Sequence, residues 1–150
     1  MTNSAPQSQH AGGPLITKRL VEFRDTDAAG IVHFSAFFFW MESVEHELLR
    51  TAGVRVVDRL SSGIDASWPR VSVSCDYKSA IHFGEEVTIA IAVRSIGRTS
   101  VTYAFSFKRD EQLIAEGQVV TVRCLMHPDK KPEAVLIPQD IIDRLEPYCE

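Results

Sequence analysis

Residues 34–52, FSAFFFWMESVEHELLRTA, restrict this chain more than any other segment. Phe34, Phe37, Phe38, Met41, Val44, Leu48 and Ala52 recur at three- and four-residue spacing, which is one face of a helix. No proline interrupts the run and Gly53 follows it, so the spacing predicts a helix over 34–52 that stops at Gly53. At 1.5 Å per residue such a helix is roughly 28 Å long. Phe39 and Trp40 widen the apolar stripe at its start, and a helix apolar on most sides is buried on most sides. The rest of the chain must therefore wrap it. Further along, Glu42, Glu45, Glu47 and Arg50 are expected to reach solvent or a partner.

The remaining periodicity is two. Val71, Val73, Cys75 and Tyr77 alternate with Ser72, Ser74 and Asp76; Val87, Ile89, Ile91 and Val93 alternate with Thr88, Ala90 and Ala92. Val101, Tyr103, Phe105 and Phe107 alternate with Thr102, Ala104 and Ser106, and a Val- and Thr-rich run follows from Leu113 to Leu125. These read as four strands with one buried face. The links HFGEE, IGRTS and KRDEQ are short, which favours antiparallel neighbours. LITKRLVEF, residues 15–23, is a first strand, and IPQDIIDRLEPY a short C-terminal helix with Ile141, Ile142 and Leu145 as its apolar side. SSGIDASWPR, within the weakly patterned stretch 54–70, reads as a mobile loop. The expected class is α+β: one curled antiparallel five-stranded sheet around one long central helix, then a short helix. Its open edges invite a second copy.

Composition narrows the function. The 150 residues suit an N-terminal arm over 1–14 (MTNSAPQSQHAGGP), expected to be disordered, and a single domain over 15–150. A net charge of −4 argues against general nucleic-acid binding. The apolar run AFFFWM is far short of the roughly 20 residues of a membrane span. Cys75, Cys124 and Cys149 match no metal-ligand spacing or disulfide framework, which fits a reducing cytoplasm. The expectation is a soluble, cytoplasmic protein.

The stretch FRDTDAAGIVHF sets two carboxylates, Asp25 and Asp27, in a turn just before the apolar helix. A helix N-terminus supplies unpaired N–H donors and a positive dipole end, where charge developing on a carbonyl oxygen is stabilised. An adjacent carboxylate can act on water as general base or attack the carbonyl itself. DTDAAGIVHFSAFFFWMESVEHELL resembles the signature of the 4-hydroxybenzoyl-CoA thioesterase-like proteins of the hotdog fold: Asp-x-Asp-x-x-Gly, two aliphatic residues, then aromatic or His residues opening the helix. The element order matches as well, and the resemblance runs from about residue 15 to 146. It implies a catalytic Asp27, a Phe34 backbone N–H that hydrogen-bonds the thioester carbonyl, and a Gly30 that lets the chain turn past the substrate. His33 stands where relatives carry Tyr or Trp; it either binds substrate, orients Asp27 or packs. Asp25 is expected to hydrogen-bond within the loop.

Other readings fit less well. The haloacid dehalogenase-type phosphatase motif also ends a strand in Asp-x-Asp, but here Ala28 replaces its Gly and no alternating strands and helices follow. No Gly-x-Ser-x-Gly elbow is present for an α/β-hydrolase esterase. His46, His82 and His127 lie at no metal-ligand spacing. RSIGRTS, residues 94–100, is either a hairpin with solvated arginines or, as the resemblance implies, a loop near the CoA path, with Arg94, Arg98, Thr99 and Ser100 as substrate-binding residues.

The resemblance thus implies an acyl-CoA thioesterase that releases a free acid and CoA, needs no metal or organic cofactor, and works as a homodimer or a tetramer of two dimers. An acyl-carrier-protein thioester is an alternative substrate. A non-catalytic acyl-CoA-binding module and a hotdog dehydratase, with His33 and Glu42 as an imperfect pair, are the alternatives.

Overall fold

The elements of the computed structural model, which describes residues 12–150, run β1 (Leu15–Leu20), α1 (Phe34–Ala52), β2 (Asp58–Arg59), β3 (Asp65–Ser67), β4 (Arg70–Tyr77), β5 (Glu86–Ile96), β6 (Ser100–Arg109), β7 (Gln112–Val122), β8 (Cys124–Met126), β9 (Glu133–Ala134) and α2 (Gln139–Leu145). The arm expected over 1–14 lies, as far as residue 11, outside the described residues. From there on, the Gly13 N–H donates to the Pro147 carbonyl at 2.8 Å. No helix among the described residues is long and apolar enough to cross a membrane.

Helix α1 has the predicted bounds. Gly53 closes it with φ 74°, a left-handed conformation open to glycine at little cost, and its N–H donates to the Arg50 carbonyl. Beneath α1 lies one antiparallel sheet in the order β1-β5-β6-β7-β4. The alternation in β5 and β6 turns Val87, Ile89, Ile91, Val93, Val101, Tyr103, Phe105 and Phe107 toward the core, where all are buried. Phe37 of α1 meets Phe107 edge-on, with centroids 5.2 Å apart. The sheet register sets Ile91 opposite Phe105 and Phe105 opposite Gly117. There the helix comes close: a Cβ on Gly117 would lie 2.5 Å from Met41 Sδ and 3.3 Å from the Ser74 carbonyl oxygen. Met41 is fully buried and has little room to yield. Gly117→Ala is therefore expected to destabilise the fold by about 1–3 kcal/mol through overpacking, read as a lower urea midpoint with unchanged slope.

Several sequence expectations are corrected. Residues 54–70 contain β2 and β3, and Ala66 and Trp68 are buried. These strands join β8 and β9 in a second, four-stranded sheet, order β2-β3-β8-β9. Strands of two or three residues are too short to show a period. The run Leu113–Leu125 is not one strand but breaks at Arg123, whose N–H donates to the Thr99 carbonyl and whose guanidinium lies 5.4 Å from the Trp68 ring centre. Residues 21–23 leave β1, and Phe23–Asp25 form a 3-10 turn. The apolar side of β4 is not buried within one chain, because β4 is an edge strand: Val71, Val73 and Tyr77 are 62%, 41% and 44% exposed. Phe34 and Phe39 are exposed as well.

Glu45 is the largest departure. Expected at solvent or a partner, it is 1% exposed, with Oε2 2.9 Å from an Arg70 Nη2 of β4. Burial pushes its carboxyl up to about 7 against the opposing pull of the Arg70 charge.

Candidate active site

The segment between β1 and α1 is a tight loop tied at both ends. Thr26 and Val32 form an antiparallel bridge, and the Asp27 N–H donates to the Ile31 carbonyl at 2.9 Å. Inside that loop the Gly30 N–H returns to the Asp27 carbonyl at 3.0 Å with φ 80°. Nothing lies within 4 Å of a Cβ built on Gly30, so it is the left-handed turn and not crowding that favours glycine. Asp27 Oδ1 accepts from the Ala29 N–H at 2.8 Å. Among the described residues no donor reaches Oδ2, and the side chain is exposed. Farther on, Ile31 bridges to His82 and the Val32 N–H donates to the Ile81 carbonyl, which docks the loop on the segment leading into β5.

Asp25 behaves as the sequence indicates. Its Oδ2 accepts from the Glu22 N–H at 2.8 Å, and its carbonyl accepts from the His33 N–H at 2.7 Å. Both bonds hold the loop.

At the start of α1 the first-turn donors are shared out unevenly. His33 is the N-cap residue, and its Nδ1 accepts from the Ser35 N–H at 3.2 Å. The Ala36 N–H donates to the His33 carbonyl. The Phe34 N–H meets no acceptor among the described residues, which leaves it and the positive helix end available to a ligand. Asp27 and Phe34 line one cavity of about 390 Å³ together with Ile31, Val32, Phe37 and Tyr77, and with residues 78–81 of the β4–β5 link. Its walls are mostly apolar and aromatic, with Asp27, Lys78 and Ser79 as the polar members. Tyr77, missed as a site residue from sequence, packs edge-on against Phe37 at 5.1 Å and donates its hydroxyl to the Phe34 carbonyl at 2.8 Å. Its place in an alternating strand carried no hint of this.

The substrate-binding candidates are not gathered here within one chain. His33 lies on the opposite flank of α1, in a groove of about 850 Å³ with Arg19, Phe39 and Trp40, its ring 4.4 Å from that of Phe34. Among the described residues no hydrogen bond joins it to Asp27. Arg94 donates to Gln118 Oε1 at 2.8 Å and pairs with Glu150 at 3.6 Å, away from the 97–100 hairpin. Arg98, Thr99 and Ser100 stand at the far end of β5, roughly 33 Å along the strand at about 3.3 Å per residue. The Thr99 and Arg98 carbonyls accept from Arg123 and Ile137, and the Ser100 carbonyl from Gly97.

A family model described as the thioesterase superfamily matches residues 29–116. A 1,4-dihydroxy-2-naphthoyl-CoA hydrolase of Prochlorococcus marinus (strain NATL2A) is 29% identical over 111 residues, 70% of this chain and 72% of the relative. Among solved structures, a 1,4-dihydroxy-2-naphthoyl-CoA thioesterase from Synechocystis superposes with a TM-score of 0.78 at 21% identity, over 89% of this chain and 96% of that one. A 4-hydroxybenzoyl-CoA thioesterase does so with 0.75 at 18% identity, over 88% and 98%. The family match covers more than half of the chain and includes Gly30, Phe34 and all of α1. The chain belongs to the thioesterase superfamily and is a thioester hydrolase of the hotdog fold.

Proposed function

We propose that the protein hydrolyses acyl-CoA thioesters to a free acid and CoA, with Asp27 as the catalytic carboxylate and the Phe34 N–H as donor to the carbonyl. The observation that carries this is the shared cavity: it is lined by both Asp27, whose Oδ2 meets no donor among the described residues, and Phe34, whose N–H meets no acceptor among them. Water adds its oxygen to the carbonyl carbon, the carbon–sulfur bond breaks, and the sulfur leaves as the CoA thiol. Asp27 takes the water proton as general base and returns it to the departing sulfur, or attacks the carbonyl, expels the sulfur and is freed by water, which opens the resulting anhydride and supplies the thiol proton. Oxygen-18 water probes the routes: label in Asp27 after repeated turnover identifies the second, with water opening the anhydride at the Asp27 carboxyl carbon. Negative charge on the carbonyl oxygen is met by the Phe34 N–H and the helix dipole. Gly30 holds the turn that presents Asp27. The scheme uses no metal and no organic cofactor.

The aromatic walls of Phe34, Phe37 and Tyr77 favour aromatic acyl groups, in keeping with the naphthoyl and benzoyl groups in the relatives' names. Acyl-carrier-protein thioesters share the same reacting bond. Free-thiol release from short, medium, long and aromatic acyl-CoAs tests the proposal. Turnover of at least one member is expected. A protein that binds CoA esters yet turns over none would instead be an acyl-CoA-binding module.

The site is completed, in this reading, by a second copy on β4. That strand leaves Val71 and Val73 exposed on an open edge. Its Tyr77 end lies at the Asp27 cavity. Its Arg70 end lies across β7 from Ser100, since Arg70 pairs with Thr121 and Val122 with Ser100. Antiparallel pairing of two β4 strands therefore carries Arg98, Thr99 and Ser100 of the partner subunit toward Asp27, where they would hold CoA phosphates. Arg94 and His33 lie outside that path: the first faces Gln118 and Glu150, and the second caps α1. Light scattering is expected to give two or four times the 16.8 kDa chain mass. Val73→Lys, which sets like charges near each other at such an edge, is expected to shift the protein toward monomer.

A further inference from the structure

The Asp27 cavity has one polar contact that local sequence does not supply. The Tyr77 hydroxyl reaches from the end of β4 to the Phe34 carbonyl, 43 residues away in the chain, at 2.8 Å. The Phe34 carbonyl already serves the first helical turn, so this is a second bond to the same oxygen. Upstream, the His33 N–H is held by the Asp25 carbonyl at 2.7 Å. The peptide carrying the unpaired Phe34 N–H is thus clamped from both sides, by its own loop and by the sheet edge.

We infer that Tyr77 is a positioning residue for the reaction: its hydroxyl holds the first turn of α1 so that the Phe34 N–H points at the thioester carbonyl. The inference rests on the thioesterase reading above. A donor 1 Å out of place loses most of its effect on a developing oxyanion, so one tether on the first turn has leverage on rate that its own strength does not convey. Burial, more than the neighbouring Cys75 thiol, pushes the Tyr77 hydroxyl up to about 12. It therefore remains a donor throughout the neutral range. Its ring, edge-on to Phe37, walls the cavity on the same side, so a bound acyl group and the tether share one element.

Tyr77→Phe keeps the ring and deletes the hydroxyl. Because Tyr77 is 44% exposed, the variant is expected to fold. With the acyl-CoA that wild type turns over fastest in the panel, kcat is expected to fall about 10-fold, the scale of one lost hydrogen bond in the transition state, with KM within about twofold. The second readout is the carbon-13-edited carbonyl stretch of that acyl-CoA bound to Asp27→Asn. Adding Tyr77→Phe is expected to move the band back toward its solution position, which a purely structural loss would not do. Tyr77→His, a ring that retains a donor, serves as the second variant and is expected to lose less rate than Phe. A kcat within about twofold of wild type, or a band that stays in place, overturns the role of Tyr77 and leaves the thioesterase reading standing. A wild type inert on every panel member overturns both.

Discussion

Asp27→Asn is expected to lower kcat by at least about 100-fold on whichever acyl-CoA wild type prefers, the scale a general base commonly contributes, with KM little changed. The substitution is nearly isosteric. An amide carbonyl at the Oδ1 position can still accept from the Ala29 N–H, which Asp27 does at 2.8 Å, so the turn that presents the side chain is retained. What disappears is the charge and basicity of the second oxygen, which no protein donor occupies among the described residues. Circular dichroism and the thermal midpoint should match wild type. Asp25→Asn is the informative neighbour. Its oxygen caps the Glu22 N–H at 2.8 Å, so the expected effect falls on loop stability and only modestly on rate. An Asp27→Asn variant as active as wild type would remove Asp27 from the chemistry and leave the Phe34 N–H without its catalytic partner.

The second large effect is expected far from that loop. Arg70→Met strips the cation from Glu45, whose Oε2 sits 2.9 Å from the guanidinium in a site 1% exposed. A buried carboxylate left without its partner costs about 3–5 kcal/mol. The cost depends on pH, and its sign follows from linkage. Burial holds the folded-state value of Glu45 at about 7, above the ordinary 4.5. The folded protein thus binds an extra proton between those values. The contribution of Glu45 is fully present below about 4.5 and is lost as pH rises through about 7. Without Arg70 the carboxyl is pushed higher still, because only the Arg70 charge and its hydrogen bond oppose burial. The variant should therefore be strongly destabilised at pH 8 and much less so at pH 5. Glu42, His46, Arg50 and Tyr103 also face this cluster, and the His46 imidazole, lowered by burial first and the Arg70 charge second, titrates in the opposite direction. Adding Glu45→Gln isolates the carboxylate, since it should remove most of the difference between the two pH values. Urea midpoints at pH 5 and 8 measure all of this; equal penalties at both would assign the loss to packing of the Arg70 stem and not to charge.

The contrast between the two sites follows chain distance. Asp27, Gly30 and Phe34 fall within eight residues, so the turn, its glycine and the helix start are all written in one short stretch. The same holds for α1 and for β5 and β6, where the periodicity reports which face of the element each residue occupies. Short strands escape that reading. Two or three residues of β2, β3 or β9 show no period, and they become strands because β8 turns out of the main sheet at Arg123 and offers an edge to β3 and β9, and β3 in turn one to β2. Exposure of Val71 and Val73 was equally hidden, because alternation marks an apolar face without saying whether the strand will be central or last in the sheet.

Charges behave likewise. Glu45 lies on a helix among Glu42, Glu47 and Arg50 and shares the chemistry of the two glutamates, yet it alone of the four is buried. Its fate rests on Arg70, 25 residues on, and on the register that sets β4 against β7. Tyr77 reaches the Phe34 carbonyl from 43 residues away for the same reason. Which residues form a helix, a turn or a strand is settled by interactions among near neighbours, and those can be read in order along the chain. Which side chain meets which across the fold is settled by strand order, register and the approach of α1 to the sheet. Those depend on packing the whole core at once.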